Sequence, residues 1–357
     1  SVTLNKIGDV LVAKGNLAEA LKSYRESLAI MDRLAKSDPS NAGWQRDLSV
    51  SYNKIGDVLL SQGNLDEALA SYREDLAIAS RLAAADPSNA AWQRDLSVSY
   101  NKVGDALVAL GKLDDALASY REGLAIRARL AKSDPSNAGW QYDLGISNER
   151  IGDVLKAKGD LAGALASYAA KRDIVQRLVK ADPDNTSWQR DLSVAYDKIG
   201  DVLVAQGNLP AALQSYQADL AIAARLAAKD ASNAEWQHDL SVSYDRVGDV
   251  LAMQGNLAEA LQSYRASLAI RERLVAVDAS NASWRRDLAV SHGKVGVVLA
   301  QQGKTAEALD AFAKGREIIA RLKEQFPDST SLADDLAWFD AEIAKLGPPA
   351  QPEETAQ

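Results

Sequence analysis

The sequence has no cysteine and only two histidines. Without thiols there is neither a disulfide framework nor a thiolate metal site, which suits a reducing compartment; a cytoplasmic location is the expectation. Basic residues are the minority, 41 against 49 acidic, and the formal charge of −8 argues against a phosphate backbone as partner, so no nucleic acid is expected. Long apolar runs are missing too. Nothing approaches the roughly eighteen residues a membrane span needs, and no membrane association is expected. Aromatic residues make up only 6% of the chain, so their placement carries information.

Most of the tryptophans keep one period. Trp44, Trp92, Trp140, Trp188, Trp236 and Trp284 recur every 48 residues without slippage, as do Gly56, Gly104, Gly152, Gly200, Gly248 and Gly296. A second glycine series, Gly15 through Gly303, follows at a fixed step of seven. A period of this size marks a repeat architecture and overrides any domain count taken from length. Ser1 falls in register with Ser49 and Ser97, so the first repeat begins inside its helix, and a trimmed first helix is the expectation.

One unit, Pro87 to Asp134, reads as two helices. Pro87 suits a first helical turn, and Asp86, Ser88 or Asn89 can cap it. Trp92, Leu96, Tyr100, Val103 and Leu107 then form an amphipathic stripe ending near Gly111. Leu113, Ala116, Leu117, Tyr120, Leu124 and Leu130 form a second stripe to about Lys132, and Asp134-Pro135 closes the unit. No stretch alternates as a half-buried strand would. Gly104, inside the first helix, costs on the order of 1 kcal/mol against alanine, which implies a close helix approach there. The tryptophans fall on the buried stripe, where losing one ring is expected to cost roughly 3–5 kcal/mol.

Tyr100-Asn-Lys-Val-Gly104, Leu107, Gly111, Ala116, Tyr120 and Leu124 resemble the tetratricopeptide repeat, with Leu107 in place of the usual tyrosine. The resemblance recurs seven times over nearly all of residues 1–325, in a long-helix form similar to those of kinesin light chains and bacterial signalling proteins. It implies an all-α, right-handed superhelix of about seven hairpins, a single solenoid over 1–346, with first helices lining a concave wall. Residues 328–346 match a first helix with Leu332 replacing tryptophan, and are read as a capping helix. The segment 347–357, PPAQPEETAQ after the glycine, is expected to be disordered.

The resources for chemistry are sparse. His238 replaces an arginine and His292 a tyrosine of the repeat, and both read as structural substitutions. DPDNTS from Asp182 lacks the glycine and distal glutamate of a calcium loop and reads as a helix start. No catalytic residue, metal site or cofactor is expected.

The polar face of the first helix offers more. Asn53 and Asp57, Asn101 and Asp105, Glu149 and Asp153, Asp197 and Asp201, and Asp245 and Asp249 sit at i and i+4, so each pair shares a face. On the concave wall implied by the resemblance they would form an acidic ladder that begins at Asp9 and stops at Gly293 and Val297. One reading has the ladder attract a basic or amide-rich peptide. The other has the acids pair with Lys54, Lys102, Arg150, Lys198 and Arg246, and with Arg46, Arg94 and Arg190. The acids exclude the carboxylate-binding clamp known from the family. The fourth unit diverges most, with Tyr142, Lys156, Lys171, Arg172 and Asp173, and is where a single partner is expected.

The function these features imply is a non-catalytic protein-interaction scaffold. Two alternatives stand beside it: self-assembly of near-identical units into a homo-oligomer, and a regulatory sensor arm of a larger signalling protein. Charge reversal of Asp105, Asp153 and Asp201 together is expected to weaken partner capture with helix content intact.

Overall fold

The computed structural model describes residues 2–347; the expected tail beyond Gly347 lies outside the described residues. These residues are helical throughout, with no strand among them. They divide into two compact units, Ser1–Ala181 and Asp182–Gln357. The first unit contains α1 (Val2–Ala13), α2 (Leu17–Ser37), α3 (Ala42–Ser61), α4 (Leu65–Ala85), α5 (Ala90–Ala109), α6 (Leu113–Ser133), α7 (Ala138–Ala157) and α8 (Leu161–Ala181). The second contains α9 (Thr186–Ala205), α10 (Leu209–Lys229), α11 (Ala234–Met253), α12 (Leu257–Val277), α13 (Ala282–Gln301), α14 (Thr305–Gln325) and α15 (Thr330–Leu346). Within each unit every helix packs on its neighbours in sequence, and the first helices α3 and α5 also touch.

The DPSN segment, varied to DPDN or DASN in later repeats, sets the start of the first helix. Asp38 Oδ1 accepts from the Ser40 N–H at 3.0 Å, making a tight side-chain turn, and Asn41 Oδ1 accepts from the Trp44 N–H at 3.1 Å. The same asparagine cap recurs at Asn89, Asn137, Asn185, Asn233 and Asn281. The proline therefore lies in the turn ahead of the helix and not in its first turn, a correction to the sequence reading: the asparagine two residues later is the cap. At the other end, Gly111 adopts φ +73°, a left-handed conformation that lets the Lys112 N–H reach back to the Leu107 carbonyl at 2.8 Å. Gln93 Nε2 donates to the Ala83 carbonyl at 3.1 Å, tying the end of α4 to the start of α5.

Within each unit the core lies between the two helices of each hairpin and between successive hairpins. Ala116 and Tyr120 of α6 are buried against Val103, Ala106 and Leu107 of α5. Gly104 makes this contact possible: a Cβ there would lie 2.4 Å from the Tyr120 ring. The glycine's cost in helix propensity is offset by seating an aromatic ring. The tryptophans are half-buried rather than enclosed. Trp44 packs on the edge of a cluster of Met31, Ala35, Leu48 and Ile78, so one indole face seals the junction while the rest of the ring meets solvent. At the end of the second unit, α15 packs on α14 through Leu332 and Phe339, and Trp338 meets Phe312 edge-on at 5.9 Å.

Candidate functional site: the first-helix face

In five repeats the aspartate that follows the interior glycine has the same pair of partners, a tyrosine and a cation. Asp57 accepts from the Tyr72 hydroxyl of its own hairpin at 2.6 Å and from Lys102 of the next at 2.6 Å. Asp9 does so with Tyr24 and Lys54, Asp105 with Tyr120 and Arg150, and Asp249 with Tyr264 and Lys294. Asp201 accepts from Tyr216 at 2.8 Å and lies 3.5 Å from Arg246, and Asp153 accepts from Tyr168 at 2.6 Å. The glycine seats the ring, the ring's hydroxyl meets the acid, and the acid reaches the next repeat. Desolvation first, and then the facing carboxylate, push the Tyr72, Tyr120 and Tyr264 hydroxyls up. They remain neutral donors.

The last hairpin shows the logic by losing all of it at once. Val297 stands for the acid, Phe312 for the tyrosine and Glu342 for the cation. No hydroxyl is left to satisfy, and no carboxylate remains to be paired.

A second bridge lies two turns nearer the helix start. Arg46 holds Asp95 at 2.5 Å, Arg94 holds Asp143 at 2.6 Å, Arg190 holds Asp239 at 2.7 Å and Arg286 holds Asp335 at 2.6 Å. His238 takes the arginine's place and its Nε2 lies 3.1 Å from Asp287. His292 is buried, and burial pushes its imidazole down, toward the neutral form.

The other ladder positions point inward and differ from repeat to repeat. Asn53 Nδ2 donates to Asp75 at 3.1 Å. Asn101 is buried and its amide oxygen accepts from Arg127 Nη1 at 2.8 Å. Glu149 pairs with Lys171, which is 1% exposed, so much of the fourth unit's divergence is an exchanged interior pair. Asp197 pairs with Arg246 at 3.0 Å, and buried Asp245 with Arg271 at 2.8 Å. Tyr142 is half-buried and engaged. The expected face is thus divided. Asn101 and Asp245 lie in the interior, while Asp57, Asp105, Asp153, Asp201 and Asp249 lie closer to solvent and are paired.

What reaches solvent between the two bridges is aliphatic. At the triplet that reads S-V-S in three repeats and G-I-S, S-V-A or A-V-S in the others, the small flanking residues are buried and the central aliphatic residue is the more exposed. Ser49, Ser51, Ser97 and Ser99 are buried, while Val50, Val194 and Val290 are 38%, 37% and 40% exposed; Val98, Ile146 and Val242 are partly so. Ser51 returns its hydroxyl to the Asp47 carbonyl at 2.9 Å, so a small self-satisfied residue lets the helices approach. Arg46, Val50, Lys54 and Asp57, at steps of four, four and three, share one helix face. The first helices therefore carry a stripe of β-branched side chains with an ion-pair bridge on either side. The valine stripe was missed in sequence because the triplet inverts the usual apolar-in, polar-out rule; its signal was an aliphatic residue recurring at one position outside the buried period.

Among the described residues no group of three or more acidic or histidine side chains could hold a metal ion, and no helix is long and apolar enough to cross a membrane.

Stacked antiparallel hairpins with a repeated outward face define an α-helical repeat protein of the interaction type. Four of the repeats are tetratricopeptide repeats: the tetratricopeptide repeat family model matches residues 2–39, 48–87, 96–136 and 240–278. The solved structure of RapI in its apo form is similar over 96% of this chain and 86% of that one, at 12% identity and a TM-score of 0.63. BtubC from P. vanneervenii matches over 72% of this chain and 92% of its own, at 19% identity and a TM-score of 0.57. The C-terminal part of a TPR repeat-containing protein from Cytophaga hutchinsonii matches over 93% of this chain and 98% of that part, at 13% identity and a TM-score of 0.50. These likenesses establish the fold. No curated protein matches the chain.

Proposed function

We propose that this protein is a non-catalytic interaction scaffold that holds an extended protein or peptide segment against its first-helix face. The observation that carries the reading is the exposed aliphatic stripe at Val50, Val98, Ile146, Val194, Val242 and Val290, repeated on helices whose neighbouring charges are already paired. An extended guest lying across successive first helices of one unit meets one aliphatic contact and two polar bridges per repeat, so contact accumulates with length. The paired charges do not repel a guest of either sign strongly. They can exchange partners at its edges, which tunes association rate and register more than affinity. The tetratricopeptide architecture supports the interaction reading; the first-helix face as the docking wall is our assignment.

Site-specific photo-crosslinking tests it. A photoreactive residue at Val98 is expected to crosslink a native partner, whereas one at exposed Arg73 on α4 is not. Crosslinking from Arg73 alone would move the interface to the second helices.

A further inference from the structure

Two repeats carry a buried acid with no cation in the region where other repeats bury an arginine, and beside one of these acids a cavity opens. In the third hairpin, Arg127 runs into the interior. Its Nε donates to Ser97 at 3.1 Å, and its Nη1 to the Asp143 carbonyl and to Ser147, each at 2.9 Å. The sixth hairpin repeats this: Arg271 donates to Ser241 at 3.3 Å, to the Asp287 carbonyl at 3.0 Å and to Ser291 at 2.7 Å. At the same position the second and fifth hairpins have Ala79 and Ala223. Four residues earlier, where the arginine repeats have Gly123 and Ser267, they have Asp75 and Asp219.

The three groups that would hold the missing arginine are in place. A cavity of about 260 Å³ opens between α3 and α5, lined by Ser49, Asp95 and Ser99, the counterparts of Ser97, Asp143 and Ser147, and by Asp75. Asp75 is 3% exposed; it accepts from Ser49 and from Asn53, and no cation reaches it. The two cations on the rim are engaged, Arg46 with Asp95 and Lys54 with Asp9. Val50 lies at the same mouth and is exposed, so the cavity opens on the valine stripe. Asp219 repeats the arrangement with Ser193, Ser243 and the backbone of Asp239.

We propose that this cavity is a receptor for the guanidinium of an arginine side chain supplied by the bound segment, with Asp75 as its counter-ion. A planar five-donor head matches the pair of hydroxyls and the backbone carbonyl that the chain itself uses around Arg127 and Arg271, and Asp75 adds a carboxylate, as Asp245 does for Arg271. The inference rests on the first-helix face as docking wall and adds to it the chemistry of one anchor side chain.

The test is calorimetric titration of the full chain with the blocked tripeptide Ac-Val-Arg-Val-NH2, and with its norleucine counterpart. The arginine peptide is expected to bind saturably at one site and the norleucine peptide not at all. Asp75→Asn should weaken that site at least tenfold. Ala79→Arg, which fills the cavity from within, should abolish it, and Asp66→Asn on the exposed side of α4 should change nothing. Circular dichroism and melting confirm that each variant is folded. Binding equal to the parent's by Asp75→Asn and Ala79→Arg, or unsaturable binding to all variants, would overturn the receptor and leave Asp75 as an interior acid. If the receptor fails while the Val98 crosslink persists, only the anchor falls; loss of both removes the docking wall itself.

Discussion

A carboxylate that accepts from a neutral hydroxyl and from a cation one repeat away is set in place by two neighbours at once, and that explains why Asp57, Asp105 and Asp249 recur. Reversing Asp105 would put a cation against Arg150 and leave the Tyr120 hydroxyl without an acceptor. The charge reversal expected from sequence to leave helix content intact is therefore expected to lower stability instead. A gentler probe is the cycle of Tyr120→Phe and Asp105→Val. Tyr120→Phe alone should cost about 1 kcal/mol in chemical denaturation, and the two changes together clearly less than the sum of the two single costs. Strict additivity would show that hydroxyl and acid do not couple. Asp219 behaves differently, because desolvation dominates its surroundings and pushes its carboxyl up to about 6. Its folded value lies above its unfolded one, so its favourable contribution is complete below about pH 4 and is lost as pH rises through 6. Asp219→Asn should accordingly be more stable than the parent at pH 7.5, by on the order of 2 kcal/mol, and should lose that advantage by pH 4. A pH-independent difference between the two proteins would contradict the assignment.

Each helix is bounded by a few residues whose roles are local, and local roles are what a sequence displays. The asparagine cap, the left-handed glycine and the aspartate turn act within a few residues of themselves, so both helices of the unit were legible to within a few positions. Asn89→Ala should cost about 1 kcal/mol of global stability, read from urea melts, because the Trp92 N–H loses its acceptor. The contact that escaped notice is the tyrosine's: Tyr72 meets Asp57 across 15 positions, which helical i, i+4 spacing does not reveal, whereas the pairing with Lys102, 45 positions on, is one of the two readings the sequence offers. The tryptophans were placed on the right stripe but too deep. A half-buried ring removes less apolar surface from water than an enclosed one, so Trp92→Ala should cost about 2 kcal/mol rather than the 3–5 of full burial.

For the molecule as a whole, periodicity sufficed to read an all-helical repeat, while the division of labour across the first-helix face did not show in it. Seven copies of one pattern could place acids on a common face but could not tell which were occupied. That depends on the tyrosine of the same hairpin and the cation of the next. With Asp57 and Asp105 given over to stapling hairpins, the outward valines are left as the surface that can accept a guest. The separation of staple from surface is the central claim. It is tested by partner capture with two triple variants at matched fold. Val50→Gln/Val98→Gln/Ile146→Gln exchanges exposed aliphatic groups for a good helix former and should lose capture with an unchanged melting temperature. Asp9→Asn/Asp57→Asn/Asp105→Asn should melt lower yet, below its own transition, still capture the partner. Undiminished capture by the valine variant, with loss in the folded aspartate variant, would contradict the account and return binding to the acids.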